Sequence, residues 1–318
     1  MARVSRTVQR SALGAADLYA RGLGARGRMS NAEVHGMRAL LELQLSRPAF
    51  RPDHETTVTP VRERRPDGQV RGEWVERPGI STRGTSVLLY VHGGGFVAGS
   101  PRSHRGLTAE LGRRLGRSVF SLDYRLAPGH RFPAAADDVL RAYAWLLDSG
   151  VAAQRIIVAG DSAGGHLVLG LSPRALRAGL PVPGGVIAFS PLVDPSMALS
   201  ADWERAHGRG RIVGARAGRA AIGRYHPGVK ADHPELLLTN DDLHGLPPTL
   251  IQASASEILV ADAEHYVAAA RGAGGRVELQ TWPRQTHVFQ VAFRISRSAD
   301  AALGRVVEFV DEVSPTHS

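Results

Sequence analysis

The feature that most constrains this chain is a series of short apolar runs, each followed by a segment of helical period. TSVLLYV (85–91) is apolar at consecutive positions, which suits a strand buried on both faces. SVFSLDY (118–124), RIIVAG (155–160), GGVIAFS (184–190), PTLIQAS (248–254) and RVELQTW (276–282) read as further strands. Between them a helix opens at Phe132-Pro133, with proline at its first position, where a missing N–H is harmless. Asp137 and Asp138 complement its dipole, Leu140, Tyr143, Leu146 and Leu147 form its buried face, and Gly150 closes it. Further helices are predicted over 163–178, 262–271 and 298–313. Strands alternating with helices predict an α/β fold, with a mostly parallel central sheet covered by helices on both faces.

The flanking segments differ. Residues 1–47 read as helical: in SNAEVHGMRALLELQL, Ser30 and Glu33 form a capping box, and Val34, Met37, Leu41 and Leu45 recur at helical spacing until Arg47-Pro48. Residues 55–91 alternate and turn at Pro66-Asp67-Gly68 and Pro78-Gly79, as hairpins do. Residues 195–235 hold Trp203, Tyr225 and an arginine cluster without strand period. They are read as a helical cap insertion that packs with the 1–47 cap segment, over a core divided into 48–194 and 236–318.

The formal charge is +9, yet Lys230 is the only lysine, so the basic charge is almost wholly arginine. The arginine clusters at 62–65 and 208–219 lack interleaved aromatic residues to stack bases, which argues against a nucleic-acid partner and for a solvated arginine-rich surface, with weak attraction to an anionic membrane face or acidic substrate as the alternative. No run approaches the roughly 18 apolar residues of a spanning helix, and the basic N-terminus lacks an apolar h-region. A cytoplasmic protein is expected, and a homo-oligomer is left open. With Cys 0, disulfides, thiolate metal sites and cysteine nucleophiles are excluded.

The chemistry lies where strands end. Gly160-Asp161-Ser162-Ala163-Gly164 is a G-x-S-x-G between an apolar strand and a helix. Such a turn strains the serine backbone and projects its hydroxyl from the top of the sheet. A serine nucleophile needs a base, and the base an orienting acid; the chain order for this architecture is Ser, then Asp or Glu, then His. Among 13 histidines, His287 in RQTHVFQ stands out because it follows the last sheet strand. The acid should leave the preceding strand: Glu257, in the loop, is the preferred candidate, and Asp262, where the next helix starts, is the alternative, although a carboxylate there would more naturally serve that helix's N–H groups. His92-Gly93-Gly94-Gly95 follows TSVLLYV, and its glycines let N–H groups face a developing oxyanion. Gly94, Gly95 and Ala163 are the expected donors, with His92 and Gly93 supporting the loop. The loop lacks the lysine of a phosphate loop and the spacing of G-x-G-x-x-G, and no metal-ligand motif is present, so no cofactor is predicted.

Together the HGGG loop, DYRLAPGHRFPAAADDV (123–139), GDSAGG (160–165), GLPPTLI (245–251) and the His287 loop resemble the hormone-sensitive-lipase-like α/β-hydrolases, the bacterial class IV carboxylesterases. The resemblance runs from about residue 85 to 293. It implies an α/β-hydrolase fold with a helical cap and cofactor-free hydrolysis of small or medium acyl esters, through a covalent acyl-enzyme on a Ser162-Glu257-His287 triad. An amidase or deacetylase on the same machinery, or a non-catalytic ligand-binding member of the fold, are the alternatives. Four positions depart from the family pattern: Gly129 replaces the usual glutamate, His166 the usual asparagine, Pro173 falls inside the predicted 163–178 helix and should kink or end it, and Glu257 stands at the usual aspartate position.

Overall fold

The computed structural model describes residues 28–45, 50–208, 214–230, 232–240 and 242–314. The N-terminal part of the predicted cap segment (1–27), its Arg47-Pro48 stop and part of the 208–219 arginine cluster lie outside the described residues. Eight strands form one sheet: β1 (Thr57–Arg65), β2 (Gly68–Glu76), β3 (Val87–Val91), β4 (Ser118–Leu122), β5 (Ile156–Asp161), β6 (Gly185–Phe189), β7 (Thr249–Ser254) and β8 (Val277–Trp282). Their order is β1-β2-β4-β3-β5-β6-β7-β8. The β1–β2 hairpin, which turns at Pro66-Asp67, adds to β4 antiparallel, and all other neighbours are parallel.

From β3 the chain moves to one side, to β4, and then crosses back to the other, to β5. The strand order therefore reverses between β3 and β5, and the loops that leave their carboxyl ends diverge into a crevice. The loop after β3 is the HGGG segment; the turn after β5 carries Ser162.

The period of two along each strand divides the interior into two layers. Val87, Leu89 and Val91 of β3 face one side, with Phe120, Leu122, Val158, Val186 and Ile251. Leu88 and Tyr90 face the other, with Val119, Ile157, Ile187, Phe189 and Leu250. Every residue of β3, β4, β5, β6 and β7 is buried, as strands covered on both faces require. Helices α2 (Pro101–Leu115) and α9 (Arg297–Val313) cover the second layer. Helices α3 (Ala134–Asp148), α4 (Ala163–Leu169), α5 (Leu171–Arg177) and α8 (Val260–Gly272) cover the first.

Helix α1 (Asn31–Leu45) opens with the expected box: Ser30 N–H donates to Glu33 Oε2 at 2.6 Å and Glu33 N–H to Ser30 Oγ at 3.2 Å. Val34 is buried, and Met37 and Leu41 pack beside it. Within 195–235 lie α6 (Ala198–His207) and α7 (Ala215–Tyr225). Arg224 of α7 donates to Asn31 of α1, a direct tie between the two segments.

Three local readings need correction. Pro133 is the N-cap of α3, one position earlier than expected. Asp138 is buried and binds Arg125, through its backbone N–H at 2.9 Å and its guanidinium, and Arg141 at 2.6 Å; it anchors the 123–133 loop more than it serves a helix dipole. The helix predicted over 163–178 is two helices that part at Gly170, three residues before Pro173. Pro173 thus occupies the first turn of α5, where its missing N–H breaks no intrahelical bond. Pro173→Ala should accordingly lower unfolding free energy by about 0.4–1 kcal/mol, through the freer unfolded chain. Urea denaturation checks this, and a gain in stability would show that the proline strains its helix after all.

Candidate active site

Ser162 sits between β5 and α4 at φ 53°, ψ −116°, a conformation that side chains rarely adopt. The surroundings over-determine it. Its N–H donates to Phe189 O at 2.8 Å, and its carbonyl accepts from Leu192 N–H at 3.2 Å and His166 N–H at 3.1 Å. Gly164 shows why the turn tolerates only small residues: a Cβ there would lie 2.0 Å from Val91 O. The helix that carries the serine thus lies directly against the end of β3.

The residue before the serine is as structured as the serine itself. Asp161 is buried, and its Oδ1 accepts from Tyr90 OH at 2.6 Å and from Gly93 N–H at 3.0 Å, while Oδ2 lies 3.4 Å from His104 Nε2. Burial alone would raise the Asp161 carboxyl, but His104 and the Tyr90 hydroxyl hold it below its ordinary value. His104 moves oppositely: burial opposes its charge, but Asp161 outweighs that and raises it. Sequence reasoning passed over both residues. The signal available was Asp161's place inside the motif, at the end of a wholly buried strand, where an aspartate must find partners.

With Gly93 N–H committed to Asp161, the loop continues to Gly94 at φ 121°, a region favourable only to glycine, where a Cβ would also strike Ala98 O at 2.2 Å. Gly94 O accepts from the N–H groups of Val97 (3.1 Å) and Ala98 (3.0 Å). The N–H groups of Gly94 and Gly95 take no acceptor among the described residues. Ala163 is the first residue of α4, where helix geometry leaves N–H groups unpaired. His92 is buried behind the loop, stacked on Tyr124 with ring centroids 4.3 Å apart, its Nδ1 2.8 Å from Gly93 O. Burial pushes His92 down to about 3, so it is neutral and unsuited to accept a proton near neutral pH.

His287 and Glu257 meet. His287 Nδ1 lies 2.5 Å from Glu257 Oε2, and Glu257 is buried. That contact puts the imidazole proton on Nδ1 and leaves Nε2 with a lone pair. Glu257 Oε1 accepts from Ser190 Oγ at 2.6 Å and Ser254 N–H at 2.7 Å, so both carboxylate oxygens are engaged. Ser190, at the end of β6 with φ 47°, also accepts from Val288 N–H at 3.2 Å, beside His287. The segment from Phe189 to Leu192 thus grips the Ser162 backbone through two hydrogen bonds, and the Glu257–His287 pair through Ser190. Nothing in the residue pattern singled Ser190 out; only its position at a strand end beside the crevice could have.

Asp262 lies elsewhere. It is buried in the first turn of α8, but does not cap that helix as expected: its Oδ1 accepts from Val193 and Asp194 N–H, both at 2.8 Å, and its Oδ2 from Ser200 Oγ at 3.0 Å. Asp194 in turn accepts from Ala198 N–H at 2.8 Å and so secures the start of α6. Asp262 thus ties the 193–200 segment, which leads into α6, to the first turn of α8.

A strained serine at a strand–helix turn, a glycine loop across a switch-point crevice and a carboxylate-bound histidine define the α/β-hydrolase class of fold and site. A family profile described as alpha/beta hydrolase fold matches residues 88–291. An acetyl-hydrolase of Streptomyces hygroscopicus is 37% identical over 70% of this chain and 73% of its own length. An esterase of Acinetobacter venetianus is 32% identical over 76% and 78%. A crystal structure of an esterase from the bacterial hormone-sensitive lipase family superposes with a TM-score of 0.83 at 32% identity, over 95% of this chain and 98% of that one. The chain belongs to the hormone-sensitive-lipase-like α/β-hydrolases, and its activity is that of a serine carboxylesterase. Among the described residues no helix is long and apolar enough to cross a membrane.

The two carboxylates after β7 are separable by measurement. Asp262→Ala orphans two buried N–H groups and should lower stability by about 2–4 kcal/mol in urea denaturation. Burial lifts the Asp262 carboxyl from 3.8 to about 7. The folded state therefore binds more protons than the unfolded chain between those values, so stability falls as pH rises through that window. Asp262→Asn, which keeps an acceptor oxygen, should flatten this fall; an unchanged slope in urea midpoints from pH 4 to 7 would assign it to another group.

Proposed function

We propose that the enzyme hydrolyses small to medium acyl esters through an acyl-enzyme on Ser162, with His287 as base and acid, Glu257 as its orienting carboxylate, and Gly94, Gly95 and Ala163 as oxyanion donors. The observation that carries this reading is the Glu257–His287 contact, 2.5 Å at Nδ1, beside a strained serine stitched to the same strand end. Ser162 Oγ attacks the ester carbonyl carbon, and its proton passes to His287 Nε2. The carbonyl oxygen, now negative, receives the free N–H groups of the glycine loop and α4. His287 returns the proton to the departing alkoxide, which leaves as the alcohol. A water then repeats the sequence against the acyl-serine, releasing the acid and restoring the hydroxyl. Glu257 holds the imidazole in one tautomer and opposes its transient positive charge.

Helices α1, α6 and α7 are read as the cap of this site. Tyr225 of α7 stacks on Phe96 at 4.2 Å, directly after the glycines, and a Cβ on Gly95 would come 3.4 Å from the Ala221 methyl. An aromatic and methyl wall so close to the donors supports short and medium acyl chains over long ones.

Two outcomes are expected. Turnover of an ester series of graded acyl length should peak at short chains, and a serine-directed phosphonate should label Ser162 in the wild type and nothing in Ser162→Ala. Phosphonate mass on another serine would reassign the nucleophile. Glu257→Gln should cut turnover by up to about 10⁴-fold without unfolding the protein, because the histidine loses its fixed tautomer. Near-wild-type rates in that variant would remove Glu257 from the triad.

A further inference from the structure

Helix α1 and the 123–130 segment line an open pocket of about 380 Å³ that takes in none of Ser162, Glu257 or His287. Its wall includes His35, Arg38, Arg71, Asp123, Gly129 and His130. The charges there do not balance. Arg38 donates Nε to Val97 O at 2.7 Å and Nη2 to Ala127 O at 3.0 Å, so two carbonyls orient it, and no carboxylate pairs with it among the described residues. Its Nη1 has no acceptor among them. Arg71 reaches the Asp123 carboxylate only at 3.6 Å. Asp123 is the one carboxylate on the wall, and burial raises its carboxyl above the ordinary value. His35 commits Nδ1 to Asn31 O at 2.7 Å, leaving Nε2 free, and the His130 ring has no partner among the described residues. Arg125, also on the wall, is neutralised by Asp138 and adds no open charge.

A partly enclosed space with surplus guanidinium charge, donors already held in place and open imidazole nitrogens is complementary to an anion. The planar fork of Arg38 suits a carboxylate, since its other two donors are fixed by backbone carbonyls and little freedom is lost on binding. Gly129, an exposed residue of the wall, leaves room there: a Cβ built on it meets nothing nearer than Leu126 O at 3.7 Å.

We propose that this cavity is a second ligand site, which binds a small organic carboxylate through Arg38, with Arg71 and the two histidines completing the cationic wall. The site is separate from ester hydrolysis and stands whether or not the triad is assigned correctly. It does reach the active site indirectly, because the Arg38 guanidinium that meets the ligand also holds Val97 O, at the end of the glycine loop.

The test is thermal unfolding and titration calorimetry of the full chain with succinate, against sodium chloride at equal ionic strength and against neutral succinamide. Succinate should bind with a millimolar dissociation constant and raise the midpoint by about 2 °C or more at saturation, with neither control doing so. Arg38→Gln removes the charge, and Gly129→Glu places a tethered carboxylate in the cavity; both should abolish the succinate-specific shift. If Arg38→Gln does not fold, Gly129→Glu decides, since its backbone position has room for a side chain. Inorganic phosphate, tested in parallel, should bind more weakly than succinate; tighter phosphate binding would overturn the carboxylate assignment. No shift in the wild type beyond that of chloride, or a shift that persists in Gly129→Glu, would overturn the site itself.

Discussion

The buried charge of Asp161 is the constraint around which the site is arranged. A carboxylate at the end of a wholly buried strand must be met by donors, and here these are the Tyr90 hydroxyl, the Gly93 N–H and the His104 imidazole. Two of the three belong to the strand and loop that form the other lip of the crevice. Satisfying Asp161 therefore also fixes the loop, and with Gly93 held, the Gly94 and Gly95 N–H groups take no acceptor among the described residues. The desolvation of one charge is thus converted into a fixed loop geometry, and in the proposed mechanism its neutral donors need no rearrangement when an oxyanion develops.

The same economy recurs on the far side of the serine. Ser190 is a small residue at a strand end, but its hydroxyl connects the Glu257 carboxylate to the backbone beside His287, while its neighbours hold the Ser162 backbone. The positions of Ser162, His287 and Glu257 thus depend on one four-residue segment. Positive φ at Ser162, Ser190 and Val288 places backbone strain at three points of this cluster, consistent with a geometry imposed by surrounding hydrogen bonds.

The two carboxylates that follow β7 differ in what they hold together. Glu257 joins the histidine to the core, and Asp262 joins the 193–200 segment to α8 through Val193, Asp194 and Ser200. A dipole or capping argument treats Asp262 as a local helix residue, but its partners come from a distant segment. Asp138 departs from the local reading in the same way, tied to Arg125 and Arg141.

What the sequence by itself determined was everything governed by local period and by chain order. Short, mainly apolar runs suit strands covered on both faces, and they placed β3 to β7 within a residue or two. The small residues around Ser162 marked the strained strand–helix turn, and the order serine, acid, histidine singled out the Glu257 and His287 that meet at 2.5 Å. The Ser30–Glu33 box was legible because both partners lie within one turn. The tertiary structure alone decided which long-range partner each buried polar group found. Asp161 with Gly93, Ser190 with Glu257, Asp262 with the 193–194 backbone and Arg38 with Val97 are contacts between residues far apart in the chain. Their geometry depends on strand order and helix placement, and no residue's own preference encodes it. The break of the post-serine helix at Gly170 instead of near Pro173 belongs with these. Local propensity marks a proline as a breaker wherever it stands, but only the packed helices settle which turn it occupies, and in a first turn it breaks nothing.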